Sequence, residues 1–141
     1  MEAGKDYLGV SVVFFCYDNN GRVFLGKKLK NYGDEIGKWD IGYDELKLNE
    51  SPIDTLKRGV REEYDTQILK YEFLGHRDVH RESGLERTLD FKVLVDGEKV
   101  RNGKPHKLNA IGWFTLKRMP SKEEMHSQLL QFLEKYKDRL R

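Results

Sequence analysis

The stretch WDIGYDELKLNESPIDTLKRGVREEYDT, residues 39–66, decides the fold. Its second half reads as a helix over residues 52–64. Ser51 is a good N-cap, Pro52 suits the first helical position, and Asp54 completes an S-x-x-D capping box. Ile53, Leu56 and Val60 recur at helical spacing, which gives the helix one apolar face to lay on a sheet. Arg58 and Glu62 are four apart and share a face. Glu62 and Glu63 sit about 100° apart around the axis, so both can converge on one cation. With Glu50 just before the helix, they make an oxygen-rich set of the kind Mg²⁺ or Mn²⁺ accepts. Such a metal would neutralise phosphate charge and activate water. The plainer reading is a solvated helix face for Glu62 and Glu63. For Glu50 it is a loop carboxylate favoured by the positive end of the helix dipole.

Working outward, residues 8–17 (LGVSVVFFCY) are apolar, β-branched and aromatic, the composition of a buried strand. Asp18, Asn19, Asn20 and Gly21 are turn chemistry, and RVFLGK at 22–27 returns as the second arm of a hairpin. Residues 30–50 read as irregular, with Trp39 and Ile41 as apolar anchors. Strands are expected over 68–80, 87–96 and 111–116. A final helix is expected from Pro120 and Ser121, with Ser121 and Glu124 as a second capping box. Its apolar stripe is Met125, Leu129, Phe132, Leu133, Tyr136 and Leu140. The order predicts an α/β (α+β) fold, an α/β/α sandwich with a mixed sheet between two helices, formed as one domain over residues 1–141.

Composition narrows the function. Charged residues are 35% of the 141, against ~25% in an average chain. Their signs nearly cancel, with 26 basic and 24 acidic residues. No nucleic-acid or membrane partner is expected from so even a balance. The basic residues Lys135, Lys137, Arg139 and Arg141 are interleaved with acids and read as a solvated helix end. No run approaches the ~18–20 apolar residues of a membrane span, and the first ten residues lack the pattern of a signal peptide. The single cysteine, Cys16, excludes an internal disulfide framework. A cytoplasmic location is the expectation; oligomeric state is left open.

Aligned on Glu50, the quoted stretch resembles the box of the Nudix hydrolases, G-x5-E-x7-R-E-U-x-E-E-x-G-U. Glu50, Arg58, Val60, Glu62 and Glu63 match with the spacing intact. The flanks are similar too: a hairpin ending in LGKKLK, Trp39 before the box, Gly75 on the strand after it, and Gly112-Trp113-Phe114 ahead of the last helix. The resemblance implies hydrolysis of nucleoside-diphosphate-linked substrates with Mg²⁺ or Mn²⁺. Catalysis would fall to Glu62, Glu63 and Arg58, and the metal to Glu62, Glu63 and Glu50. Lys28 and Tyr43 would meet a small nucleotide-like or aromatic ligand, and Lys27 is a further candidate for stabilising charge.

Four positions depart from the pattern. Tyr43 and Asp44 stand where the family has glycines, Gly59 replaces a metal-binding glutamate, and Asp65 replaces the late glycine. Asp44 and Glu45 read as solvated. A mid-helix glycine costs about 1 kcal/mol against alanine, and the sequence shows no structural gain from Gly59. The losses look like replacement, natural or engineered, and imply weak or lost activity. The alternative is an inactivated scaffold: a ligand-binding module, or a metal-independent hydrolase using Cys16 with His76 or His80. The default for Cys16 is a buried structural thiol.

Overall fold

The computed structural model describes residues 9–29, 35–81 and 84–140. The apolar run at the start forms β1 (Gly9–Tyr17), the spine of a seven-stranded mixed sheet. It pairs antiparallel with β2 (Val23–Lys28) and β4 (Gly42–Glu45), and parallel with β6 (Gly84–Val95). Around it, β3 (Trp39–Asp40) and β7 (Leu108–Phe114) pair with β2, and β5 (Ile68–Arg81) closes the far edge against β6. Among the described residues the two α-helices are α1 (Pro52–Tyr64) and α2 (Ser127–Tyr136).

Alternation along β1 splits the core in two. Val13 and Phe15 face Leu129, Phe132 and Tyr136 of α2. Val12, Phe14 and Cys16 face Leu56, Val60 and Tyr64 of α1. Each layer is a cluster of buried apolar side chains, so the sheet is covered on each face, as the sandwich expectation requires. The helix over 52–64 forms as expected. Ser51 accepts from the Asp54 amide at 3.1 Å, and Asp65 ends the helix in the left-handed conformation at φ 52°.

Two expectations fail. Residues 30–50 are not uniformly irregular: β3 and β4 lie there, because Trp39 and Ile41 each pack into the α2-side core. The last helix does not begin at Ser121. The Ser121 side chain makes no capping bond, and residues 122–124 form a single 3-10 turn. The His126 amide then donates to the Trp39 carbonyl at 2.8 Å, which ties the chain to the sheet edge. The helix starts only after this tie, with His126 Nδ1 accepting from the Gln128 amide at 3.1 Å. The expected stripe still packs: Met125, Leu129, Phe132, Tyr136 and Leu140 are all buried.

Gly59 has a structural reason after all. A Cβ there would lie 2.8 Å from the Phe14 ring and 3.1 Å from the Asp44 Cβ. Phe14 is wholly buried, and its other edge lies over Gly42, where a Cβ would come within 2.2 Å of the ring. The ring fills the space that both glycines vacate, and α1 seats close to β4 as a result. Alanine at 59 should therefore destabilise by about 1–2 kcal/mol, overpacking outweighing the gain in helix propensity. In urea denaturation, the cost of Gly59→Ala should shrink in a Phe14→Leu background. A stabilised single variant would refute this packing account.

Candidate active site

Arg58 is the hub of the site. Its Nε and Nη2 donate to the two oxygens of Glu50, each at 2.9 Å. Nη1 donates to Asp44 at 2.9 Å and to Glu62 at 3.3 Å, and Nη2 reaches the Glu45 carbonyl at 3.0 Å. All five guanidinium N–H groups are thereby used. They fasten the loop after β4 to the second turn of α1. Glu50 also accepts from the Thr55 hydroxyl at 2.7 Å. These bonds, with Arg58 the strongest influence, hold its carboxyl down to about 2.

Glu63 has the opposite environment. It is buried, and burial lifts its carboxyl to about 7 although Lys104, Lys28 and Lys107 pull it back. Lys28 is itself buried, with Nζ 3.6 Å from the buried Asp40 carboxylate and 3.3 Å from the Tyr43 hydroxyl. Burial works against its charge, but Tyr43 and Asp40 outweigh this and keep its pKa above the ordinary value. The Tyr43 ring takes two ammonium groups, Lys28 at 4.6 Å and Lys107 at 5.1 Å from its centroid.

Lys104 and Lys107 arrive on the loop before β7, which is pinned to the end of α1. The Arg101 and Gly103 amides donate to the carbonyls of Tyr64 and Glu63 at 2.8 and 3.0 Å, and so satisfy two helix-end acceptors. A Cβ at Gly103 would overlap the Glu62 carbonyl at 2.0 Å, so only glycine lets the loop approach this closely. The lysines were missed in reading the sequence, although RNGKPHK at 101–107 is a visibly basic loop punctuated by glycine and proline.

The structure thus joins Glu50 and Glu62 through Arg58, joins Lys28 to Tyr43, and sets Lys28 near enough to act on Glu63. Lys27 points its ammonium over Trp39 instead, 5.7 Å from the ring. Asp44 is not solvated as expected: it is bound by Arg58, with the Lys104 ammonium 3.8 Å away. Cys16 and the histidines are not brought together. Cys16 is fully buried in the α1-side core, and burial pushes its thiol well above the usual range. Its register neighbour on β6 is Val93, whereas His76 and His80 lie exposed on β5 opposite Leu89 and Leu85.

The residues present do not fit a divalent cation. Among the described residues, no three Asp, Glu, His or Cys side chains are grouped to hold one. Glu50, Asp44 and Glu62 already face protein cations, and Gly59 supplies no carboxylate. The raised Glu63 gives a testable sign. The unfolded chain ionises this carboxyl near 4.5 and the folded chain near 7. The folded state holds the extra proton in between, so stability falls as pH rises through that window. The loss amounts to about 3 kcal/mol once ionisation is complete. Glu63→Gln, denatured with urea in chelator, should be more stable than the parent at about pH 8 and level with it near pH 4. A parent that strengthens between those values would refute the assignment.

Among the described residues, no helix is long and apolar enough to cross a membrane. No family model matches the chain, and no curated protein does. Solved structures do. A MutT protein from Methanosarcina mazei Go1 superposes with a TM-score of 0.80, at 19% identity, covering 97% of each chain. A MutT Nudix hydrolase from Burkholderia pseudomallei superposes with a TM-score of 0.77, also at 19% identity, covering 89% of this chain and 95% of that one. With the parallel β1–β6 pair, the covering helices and the loop-to-helix hub already in place, these likenesses show that the chain has the fold of the Nudix hydrolases.

Proposed function

We propose that this chain is a slow, metal-independent hydrolase of small diphosphate-bearing, nucleotide-like molecules, with Glu63 as its general base. The observation that carries the reading is a buried carboxyl, lifted to about 7 by burial, with the ammonium groups of Lys104, Lys28 and Lys107 close enough to pull it back. A general base works best with a pKa near the operating pH. Water would attack phosphorus and pass its proton to the Glu63 carboxylate. The lysine ammonium groups would take the charge that builds on the phosphate oxygens as the bridging bond breaks. Tyr43 holds two of those lysines in place through its ring, a different role from stacking on a base.

One observation favours a second reading, a ligand-binding scaffold without turnover. The space beside Gly59 is filled by Phe14 and Asp44, so no carboxylate fits where the resemblance puts a catalytic one. The same experiment separates the two. A panel of nucleoside diphosphate derivatives is incubated with the parent and with Glu63→Gln, in chelator and in Mg²⁺, and phosphoanhydride cleavage is followed. The expected result is slow turnover equal in both conditions, rising with pH through about 7 and falling about 10²–10⁴-fold in Glu63→Gln. Binding of the same compounds without cleavage would establish the scaffold instead. Turnover only with Mg²⁺ would overturn both.

A further inference from the structure

We propose that the Lys104 ammonium is a resident counter-cation of the Asp44–Glu62 pair and excludes Mg²⁺ and Mn²⁺ from these carboxylates. The inference rests on the metal-independent reading above and names the residue responsible for it. Lys104 Nζ lies 3.8 Å from Asp44 Oδ2 and 3.9 Å from Glu62 Oε2. Arg58 Nη1 contacts those same two oxygens at 2.9 and 3.3 Å. One oxygen of each carboxylate is therefore shared between a guanidinium and an ammonium. A magnesium ion needs such oxygens at about 2.0–2.1 Å in a near-octahedral set. To take the two shared oxygens it would have to expel the ammonium and then sit against the guanidinium charge.

Lys104 is also built in rather than draped over the surface. Its side chain is only 16% exposed. Its amide donates to Asn102 Oδ1 at 3.0 Å, and its carbonyl accepts from Lys107 and Leu108 at 2.9 and 2.8 Å. The Asn102 amide group in turn donates to the Leu108 carbonyl at 3.0 Å. Directly before it, Gly103 is locked to the end of α1. The backbone that carries the ammonium is thus fixed relative to the helix that carries Glu62. The absent carboxylate at Gly59 matches this arrangement: with a lysine as the cation, one fewer negative group needs to be neutralised.

The test is Mn²⁺ binding, followed by electron paramagnetic resonance on the full chain. Lys104→Met keeps the stem and removes the charge, and Lys104→Gln repeats the charge loss should the first variant fail to fold. The neutral variants should bind Mn²⁺ about tenfold tighter than the parent, or better. Lys104→Arg should stay like the parent, and Asp44→Asn placed on the neutral variant should abolish the gain. A parent that takes Mn²⁺ as tightly as the neutral variants would overturn the proposal, as would no gain in either neutral variant. Turnover plays no part in this readout. If the parent refuses Mn²⁺, gains it on losing Lys104, and cleaves nothing, the hydrolase reading falls and the counter-cation stands. If the parent cleaves in chelator yet binds Mn²⁺ like the neutral variants, the reverse holds.

Discussion

The Phe14 ring, seated between Gly42 on β4 and Gly59 on α1, sets how close the helix lies to the sheet. The placement of the α1 side chains in the site follows from that separation. Phe14 meets Tyr64 edge to face with centroids 6.0 Å apart, and the Tyr64 hydroxyl donates to the Phe24 carbonyl at 3.3 Å. These contacts fix the rotation of α1 as well as its height. Glu63 is buried and Arg58 is left able to reach Glu50 and Asp44. A larger residue at position 59 would lift the helix, bring Glu63 nearer to water and lower the pressure on its carboxyl. The packing that makes glycine necessary is thus also what gives the remaining carboxylate its unusual affinity for a proton.

The polar side of the site is organised by charge matching within the chain. Where the family resemblance would place a metal among carboxylates, this chain sets Arg58 and Lys104 between Asp44 and Glu62. Partly exposed ion pairs contribute little each, but a guanidinium with every N–H engaged orders a loop that has no strand of its own over residues 46–51. The outcome is an ordered site edge in which each of Asp44, Glu50 and Glu62 faces a protein cation. Pre-formed order of this kind favours binding geometry. It also keeps the carboxylates occupied, which is a poor starting point for recruiting a second cation.

How much of this was legible in the sequence depended on range. The α1 boundaries were readable because Ser51, Pro52 and the apolar spacing act within one helical turn of each other. The two-sided core was readable because strict alternation in β1 maps directly onto two faces. Ser121 and Glu124 had the same local signature as Ser51 and Asp54. They failed because a distant group, the Trp39 carbonyl, held the His126 amide first. Local rules fail where a long-range hydrogen bond competes for the same backbone. The site divides the same way. Glu50, Arg58, Glu62 and Glu63 lie within fourteen residues, and a single spacing exposed them.

Gly59, by contrast, was misread because its reason is tertiary. From the helix alone it is a cost without return, and only the positions of Phe14 and Asp44 turn it into a requirement. Lys104 and Lys107 were invisible for a related reason. Their loop sits some forty residues downstream and reaches the cleft only because Gly103 permits contact with the Glu62 carbonyl. A mid-helix glycine and a basic loop containing glycine are each unremarkable alone. Taken together they describe one substitution: a carboxylate removed from the helix and a positive charge delivered from outside it. That reading links the packing of Phe14 to the chemistry of Glu63. A lysine whose backbone is pinned to the helix is held near its carboxylates by the chain itself, whereas the occupancy of a soluble metal depends on its concentration.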